Sequence, residues 1–172
     1  MRHLILLRHA KAVASSPDGD FTRWLAPRGR EQAAAFGRWL PAQGFAPDLV
    51  VSSPAVRASE TADLALKGFA KPPARRDEPA LYNATALDIL AIARAAGGEA
   101  RSLMIVGHNP GLAELAIALA GAGNPVARKS MAEKFPPCGC AVLFFPAAGG
   151  SALVPWGTRL EAFVTPKTLS AQ

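Results

Sequence analysis

The stretch "LILLRHAKA", residues 4–12, joins a short apolar run to three basic or titratable side chains. Residues 4–7 are continuously apolar, which is typical of a strand buried on both faces of a sheet. Arg8, His9 and Lys11 follow that run directly. Ligands of open α/β sheets bind at the carboxyl ends of the strands. The stretch therefore predicts a buried strand that carries polar groups to a binding edge.

Two later apolar runs have the same character and are also followed by polar segments. They are "DLVVS" at 48–52, followed by "SPAVR", and "LMIVG" at 103–107, followed by "HNPG". Helical patterns alternate with these strands. The first helix is predicted from Gly29 to just before Pro41. The second has Ser53 as N-cap and Pro54 in its first turn, and it stops at Gly68. Two more helices are predicted over 85–98 and after Pro110.

The C-terminal part of the chain has strand patterns without intervening helices. "CAVLFF" (140–145), "SALVPW" (151–156) and "RLEAFV" (159–164) are separated by turns, whereas "KPPARRDEP" (71–79) is predicted to be a Pro-rich loop. The predicted fold class is α/β. It is a three-layer α/β/α sandwich with a mostly parallel central sheet and antiparallel strands toward its C-terminal end, in a single domain over 1–172.

Composition limits the classes of function. The chain has 172 residues, half of them hydrophobic, and a net charge of +6, which favours anionic partners. The arginines are scattered and no run is long enough to span a membrane, so neither nucleic acid nor a membrane is a predicted partner. The two cysteines, Cys138 and Cys140, are too few for a zinc site and give no disulfide framework. The cytoplasm is the default location, and the oligomeric state stays open.

Four side chains are expected to meet at the carboxyl edge of the sheet if the three strands are parallel neighbours. These are Arg8, His9, Arg57 and His108. The planar forks of two guanidinium groups match the oxygens of a tetrahedral anion, and the first turn of a helix also favours an anion. A neutral imidazole beside a bound phosphate can attack phosphorus and form a covalent intermediate. His3 lies at the opposite edge and is assigned no chemistry.

The segments "LLRHAKA", "VVSSPAVRASETA" and "MIVGHNPGL" resemble the three signature segments of the histidine phosphatase superfamily, the phosphoglycerate mutase-like fold. "DFTRWLAPRGREQA" (20–33) and "ALYNA" (80–84) make the chain most similar to small SixA-type phosphohistidine phosphatases. The resemblance implies that His9 is the nucleophile, that Arg8 and Arg57 bind the phosphoryl group, and that His108 hydrogen-bonds to it. The first motif is usually Arg-His-Gly, whereas Ala10 stands here in the third position.

The leading hypothesis is a phosphohydrolase that acts on phosphohistidine in a protein such as a phosphotransfer domain, with no metal or other cofactor. Glu78 is a weak candidate for a general acid, and the lack of a clear acid favours cleavage of N–P over O–P bonds, because an alkoxide needs proton donation when it leaves. Lys11 and Arg23 are predicted to add positive charge at the mouth or to lie on a solvated surface. A small-molecule phosphomonoesterase and a non-catalytic phosphate-binding domain remain as alternatives, and mutase activity is disfavoured.

Overall fold

A computed structural model describes residues 2–98, 100–145, 154 and 156–170 of the chain. Strands and helices alternate through most of it. In chain order they are β1 (His3–Arg8), α1 (Pro27–Ala42), β2 (Leu49–Ser52), α2 (Val56–Leu66), β3 (Ala74–Asp77), a 3-10 turn (Pro79–Leu81), α3 (Ala86–Gly97), β4 (Ser102–Gly107), α4 (Gly111–Leu119), β5 (Ala120–Gly123), α5 (Pro125–Glu133), β6 (Cys140–Phe144), β7 (Thr158–Val164) and α6 (Pro166–Leu169).

The strands form one sheet in the order β3-β2-β4-β1-β6-β7-β5. β1 pairs in parallel with β4, β4 with β2, and β2 with β3. β6 runs antiparallel to both of its neighbours, β1 and β7, and β5 pairs in parallel with β7. Six strands therefore share one direction and only β6 is reversed, which confirms the predicted, mostly parallel sheet with an antiparallel strand toward its C-terminal end.

Two hydrophobic clusters cover the two faces of the sheet because side chains along a strand alternate between faces. Leu4 and Leu6 of β1 pack into a cluster with α3 and α4. Ile5 and Leu7 pack into the opposite cluster with α1 and α2. The predicted three-layer α/β/α sandwich is confirmed. Among the described residues, no helix has the length and apolarity needed to cross a membrane.

Two predicted helix boundaries are corrected. α1 begins at Pro27 rather than Gly29, and Pro41 lies in its last turn rather than after it. α2 begins at Val56, so Ser53 is not its N-cap. The Ser53 hydroxyl instead accepts the N–H of Ala55 at 3.3 Å, which leaves it free to contact a site residue as well.

Short elements at the sheet edges differ from the prediction or were not predicted. Residues 74–77, expected in a loop, form the edge strand β3, because their main chain pairs with β2 although their side chains are mostly exposed. β5 ("AGAG") forms the other edge, and α5 begins at Pro125 with Asn124 as its cap. The strand predicted over 151–156 lies largely outside the described residues.

Candidate active site

The carboxyl ends of β1, β4 and β2 bring the predicted side chains to one edge of the sheet. Arg8 ends β1 and pairs with Gly107, the last residue of β4, so that His9 and His108 follow adjacent strands. Their imidazole rings lie 5.2 Å apart, centroid to centroid, at an interplanar angle of 52°. Arg57 is the second residue of α2, after β2. All four predicted site residues therefore converge, although about a hundred positions separate them in the chain.

His9 is held in a single orientation by the main chain of its neighbour. Its Nδ1 lies 2.8 Å from the carbonyl oxygen of Ala10. A carbonyl only accepts hydrogen bonds, so Nδ1 carries the proton and Nε2 keeps a free lone pair. The His9 main chain is fixed as well, since its N–H donates to Gly107 and its carbonyl accepts from Cys138, both at 3.0 Å.

Both histidines are held neutral by their surroundings. The pKa of His9 is lowered to about 3, mainly by burial and in addition by His108 and the two nearby arginines, against the opposing effect of the Ala10 hydrogen bond. Burial is also the main cause that lowers the pKa of His108 to about 4, followed by the positive charge of Arg57. At neutral pH the site therefore offers two uncharged imidazoles beside two guanidinium groups.

His108 is positioned by contacts from two other segments. Its Nε2 lies 2.8 Å from the Ser53 hydroxyl, and its ring packs edge-on against Tyr82 at 5.7 Å. Its buried Nδ1 has no hydrogen-bond partner within the described residues. One ring nitrogen is thus bound to protein and the other is left without a partner.

Arg8 is fixed to the loop that follows α5. Its Nη1 donates to the Phe135 carbonyl at 2.9 Å, and the same carbonyl accepts from Asn109 at 2.9 Å. Burial, and after it the charge of Arg57, lowers the pKa of Arg8. The buried Nε of Arg8 has no partner in the described part of the chain. Two guanidinium groups therefore repel each other at this edge, which suits an anion placed between them.

Asp20 balances part of this positive charge. Arg57 donates to the Asp20 carbonyl at 2.6 Å and to its carboxylate at 2.9 Å. Arg23 and Tyr82 bind the same carboxylate at 2.7 and 2.9 Å. These hydrogen bonds, led by that from Arg23, lower the pKa of Asp20 to about 2. Asp20 is therefore a permanent carboxylate at neutral pH and fixes the orientation of Arg57.

Thr61 joins the loop after His9 to helix α2. Its hydroxyl accepts the N–H of Ala10 at 3.0 Å and donates to the Arg57 carbonyl at 2.6 Å. Ala10 is fully buried, and its φ is not among the positive values found in the described residues. The backbone therefore does not require glycine at this position, and the Ala10 methyl group packs into the core beside α1 and α2.

The remaining candidates lie around this centre. Lys11 is exposed, whereas Arg23 is bound to Asp20 and to the Val13 carbonyl. Glu78 follows β3, at the same edge but three strands from β1, and its Oε1 accepts the N–H of Ala80 at 3.1 Å. His3 lies at the start of β1, 3.2 Å from the Glu161 carboxylate, at the opposite edge as expected. The described residues contain no group of three or more side chains that could hold a metal ion.

Several contacting residues were not assigned a role from the sequence. Asp20, Ser53, Thr61 and Tyr82 all hydrogen-bond to, or pack against, one of the four predicted residues. Asp20 and Tyr82 lie in the segments "DFTRWLAPRGREQA" and "ALYNA", whose resemblance to the SixA type was the only signal available. Ser53 and Thr61 lie in the signature segment "VVSSPAVRASETA" without a role assigned to them, and the Phe135 carbonyl carried no sequence signal of a role in the site.

Comparison with known proteins identifies the class. Residues 4–79 match the family description "Histidine phosphatase superfamily (branch 1)". An uncharacterized protein of Mycobacterium tuberculosis (strain H37Rv) is 42% identical over 140 residues, which cover 80% of this chain and 85% of that protein. A structure from Agrobacterium tumefaciens, assigned as the phosphohistidine phosphatase SixA, has 30% identity and a TM-score of 0.80, and covers 96% of this chain and 98% of its own. A SixA structure from Nakamurella multipartita, similarly assigned, has 28% identity and a TM-score of 0.82, with 96% of each chain covered.

The chain belongs to the histidine phosphatase superfamily. Within it the chain is of the SixA type, and the protein is a phosphatase.

Proposed function

We propose that this phosphatase removes the phosphoryl group from phosphohistidine in a protein such as a phosphotransfer domain, with His9 as the covalent nucleophile. The observation that carries the proposal is the His9 imidazole, neutral and with Nδ1 bound to the Ala10 carbonyl, beside Arg8 and Arg57. A neutral Nε2 is the form that attacks phosphorus. The same proposal assigns phosphoryl binding to Arg8, Arg57 and His108, and places the reaction in the cytoplasm.

The reaction proceeds in two displacements. Nε2 of His9 forms a bond to phosphorus while the N–P bond of the substrate breaks, and the substrate imidazole leaves with that electron pair. Water then attacks phosphorus, the bond to Nε2 breaks, and inorganic phosphate and a proton are released. Arg8 and Arg57 stabilise the negative charge of the transferring group in both steps, so the scheme needs no metal ion.

The leaving group decides which substrate the site favours. An imidazole that is protonated on its second nitrogen leaves as a neutral molecule, whereas an alkoxide requires a proton donor that contributes about 10²- to 10⁴-fold in rate. The carboxyl of Asp20 has a pKa of about 2 and is a poor donor. Glu78 uses Oε1 to accept an N–H and follows β3, three strands away from β1. These features support a substrate in which an N–P bond, rather than an O–P bond, is cleaved.

Hydrolysis of a phosphate ester is the second candidate, because one set of relatives points to it. The mitochondrial serine/threonine-protein phosphatase Pgam5 of Drosophila melanogaster is 46% identical over 66 residues, which cover 38% of this chain and 22% of that protein. Such an activity would use the same nucleophile with a different leaving group.

Phosphate release separates the two candidates. Wild type and His9→Ala would be compared on a histidine-phosphorylated phosphotransfer protein, phosphoramidate and 4-nitrophenyl phosphate. We expect fast release from the phosphoprotein that is lost in the variant, inhibition by vanadate, and a much lower kcat/KM for the ester. A preference for the ester would contradict the phosphohistidine proposal, and unchanged activity of His9→Ala would contradict the nucleophile.

A further inference from the structure

A basic groove of about 550 Å³ lies beside the catalytic edge. Lys11, Arg28, Lys134 and Lys167 contribute its charge, and Pro136 and Pro137 form part of its wall. No carboxylate and none of the four proposed catalytic residues lines it. The basic groove is therefore a separate surface from the phosphoryl site.

The main chain connects this groove to the catalytic edge. Lys11 lies two residues after His9, and the prolines lie between Phe135, whose carbonyl binds Arg8, and Cys138, whose N–H binds the His9 carbonyl. A displacement of either wall of the groove would therefore also displace the main chain that holds Arg8 and His9.

The strand order places the other wall at the same edge. Leu7 of β1 pairs with Cys140 of β6, which pairs with Val164 of β7. Because both pairings are antiparallel, β7 runs parallel to β1, and Lys167 follows its carboxyl end. Neighbouring strands lie about 4.8 Å apart, so the ends of β1 and β7 are separated by about 10 Å. A ligand in the groove would therefore lie next to a phosphoryl group on His9.

The charge of the basic groove is not balanced within the described residues. All four cationic side chains are exposed, and none forms an ion pair there. Elsewhere in the described chain, cations such as Arg30, Arg75 and Arg159 face carboxylates. Glu133 precedes Lys134 in the sequence, but its carboxylate lies 3.8 Å from Lys129. Glu31, three residues after Arg28, lines a smaller adjoining pocket.

The spread of the charges indicates the form of the ligand. The four cations come from four segments: the loop after β1, helix α1, the loop after α5, and α6. Their exposure differs from the buried setting of Arg57 at the phosphoryl site. Exposed cations distributed over several segments match a row of carboxylates better than a single small anion, and they act mainly on encounter and orientation of a charged partner.

We propose that the basic groove docks an acidic segment of the phosphorylated protein substrate and so orients its phosphohistidine toward His9. This inference rests on the proposed function, because it assumes that the substrate is a phosphoprotein. It assigns partner recognition to Lys11, Arg28, Lys134 and Lys167, and leaves the chemistry to the phosphoryl site.

Charge reversal at two groove lysines tests the proposal. The variant Lys134→Glu/Lys167→Glu would be compared with Lys67→Glu/Lys71→Glu, which makes the same change in charge. Lys67 and Lys71 are exposed and lie after α2, toward the opposite edge of the sheet. Lys134 and Lys67 are both C-caps of helices, so one substitution of each pair is made at a matched position. Substrates would be the histidine-phosphorylated phosphotransfer protein and phosphoramidate, each at several salt concentrations.

We expect kcat/KM for the phosphoprotein to fall about tenfold in the groove variant, through KM, with a weaker dependence on salt than in wild type. Turnover of phosphoramidate should stay within about twofold, and a decaglutamate peptide should inhibit only the phosphoprotein reaction of wild type. Equal losses in the control variant, an equal loss on phosphoramidate, or an unchanged phosphoprotein reaction would each overturn docking at this groove. Absence of phosphoprotein turnover by wild type, with ester turnover retained, would instead refute the proposed function and the inference with it.

Discussion

Thr61 is the side chain through which the loop after His9, the proposed nucleophile, is joined to the helix that carries Arg57. It is fully buried, and its hydroxyl makes one hydrogen bond to each segment. A buried N–H that loses its acceptor costs about 1–3 kcal/mol, because the desolvation of the group is no longer compensated.

Replacement of this hydroxyl by a methyl group should affect stability and catalysis together. In Thr61→Val we expect the free energy of unfolding to fall by ~1–3 kcal/mol and kcat for phosphoramidate to decrease, since the Ala10 N–H is left unpaired next to His9. Urea denaturation and steady-state kinetics measure the two effects. Thr61→Ser keeps the hydroxyl and should retain kcat, and wild-type behaviour of Thr61→Val would refute the role of this hydrogen bond.

At the residue scale, the sequence predicted the basic and titratable groups at or near strand ends. It assigned no role to Ser53 and Thr61 beside them, nor to Asp20 and Tyr82, which reach the site from loops. Arg8 ends β1, and His9 and His108 follow strands directly, so the topology of a parallel sheet was sufficient to bring them together. Asp20 and Tyr82 are 62 positions apart, and the hydrogen bond between them forms only when two long loops meet. Local sequence carries little information about such a contact.

Helices α1 and α2 approach each other closely where α1 has a glycine. A Cβ at Gly37 would lie 2.2 Å from the carbonyl oxygen of Ala65, well inside contact distance of a backbone atom. Gly37 is buried in the helix, so its lack of a side chain sets the distance between the two helices.

A methyl group at this crossing should push the helices apart. We expect Gly37→Ala to lower the free energy of unfolding by ~1–3 kcal/mol, as overpacking does in other cores, despite the higher helix propensity of alanine. Thermal and urea denaturation report the change. Gly98→Ala provides the control, because the nearest atom to a Cβ there is 3.8 Å away, and its stability should be unchanged or slightly higher. Equal stability of the two variants would show that the crossing is not tight.

At the element scale, prediction succeeded where burial produces a strong pattern. The three central strands have continuous apolar runs, and all three were found. The edge strands β3 and β5 were missed because their sequences are charged or rich in glycine, and an edge strand needs only one paired neighbour and little burial. Their pairing with β2 and β7 is a property of the assembled sheet.

The two buried imidazoles make the stability of the whole molecule depend on pH. The unfolded chain has histidines with a pKa near 6.5, whereas the folded values are about 3 for His9 and about 4 for His108. Between these limits the unfolded chain binds more protons than the folded protein, so the free energy of unfolding falls as the pH falls. The loss begins below about pH 6.5 and is complete below the folded values.

Denaturation at a series of pH values tests this linkage. We expect each histidine to lower the free energy of unfolding by up to ~1.4 kcal/mol per pH unit between about pH 6 and pH 4. The net positive charge of the chain adds a general acid sensitivity, so the variant His9→Asn/His108→Asn is the reference and should show a shallower slope. Identical slopes would mean that the two imidazoles titrate normally in the folded protein.

At the scale of the whole molecule, the fold class and the family were predictable because the hydrophobic runs and the three different motifs are spread over most of the chain. That residues 1–172 form a single domain stays a prediction, as does the location of the protein in the cytoplasm. The reversal of β6 was expected only in general terms. That this one strand brings the segment after β7 back to the edge that carries His9 was not predicted, because strand order within a sheet is not encoded in any local stretch.

The hydrogen bond from the imidazole to the carbonyl of position 10 belongs to the peptide backbone, so no substitution of a side chain removes its acceptor. The proton on the His9 imidazole is therefore placed by a group that every amino acid possesses. Alanine in place of glycine at this position keeps that acceptor for the neighbouring ring, and the buried space around Ala10 limits only the volume of its side chain. Searches for related proteins that require glycine after the histidine will consequently pass over proteins whose imidazole is held in the same way.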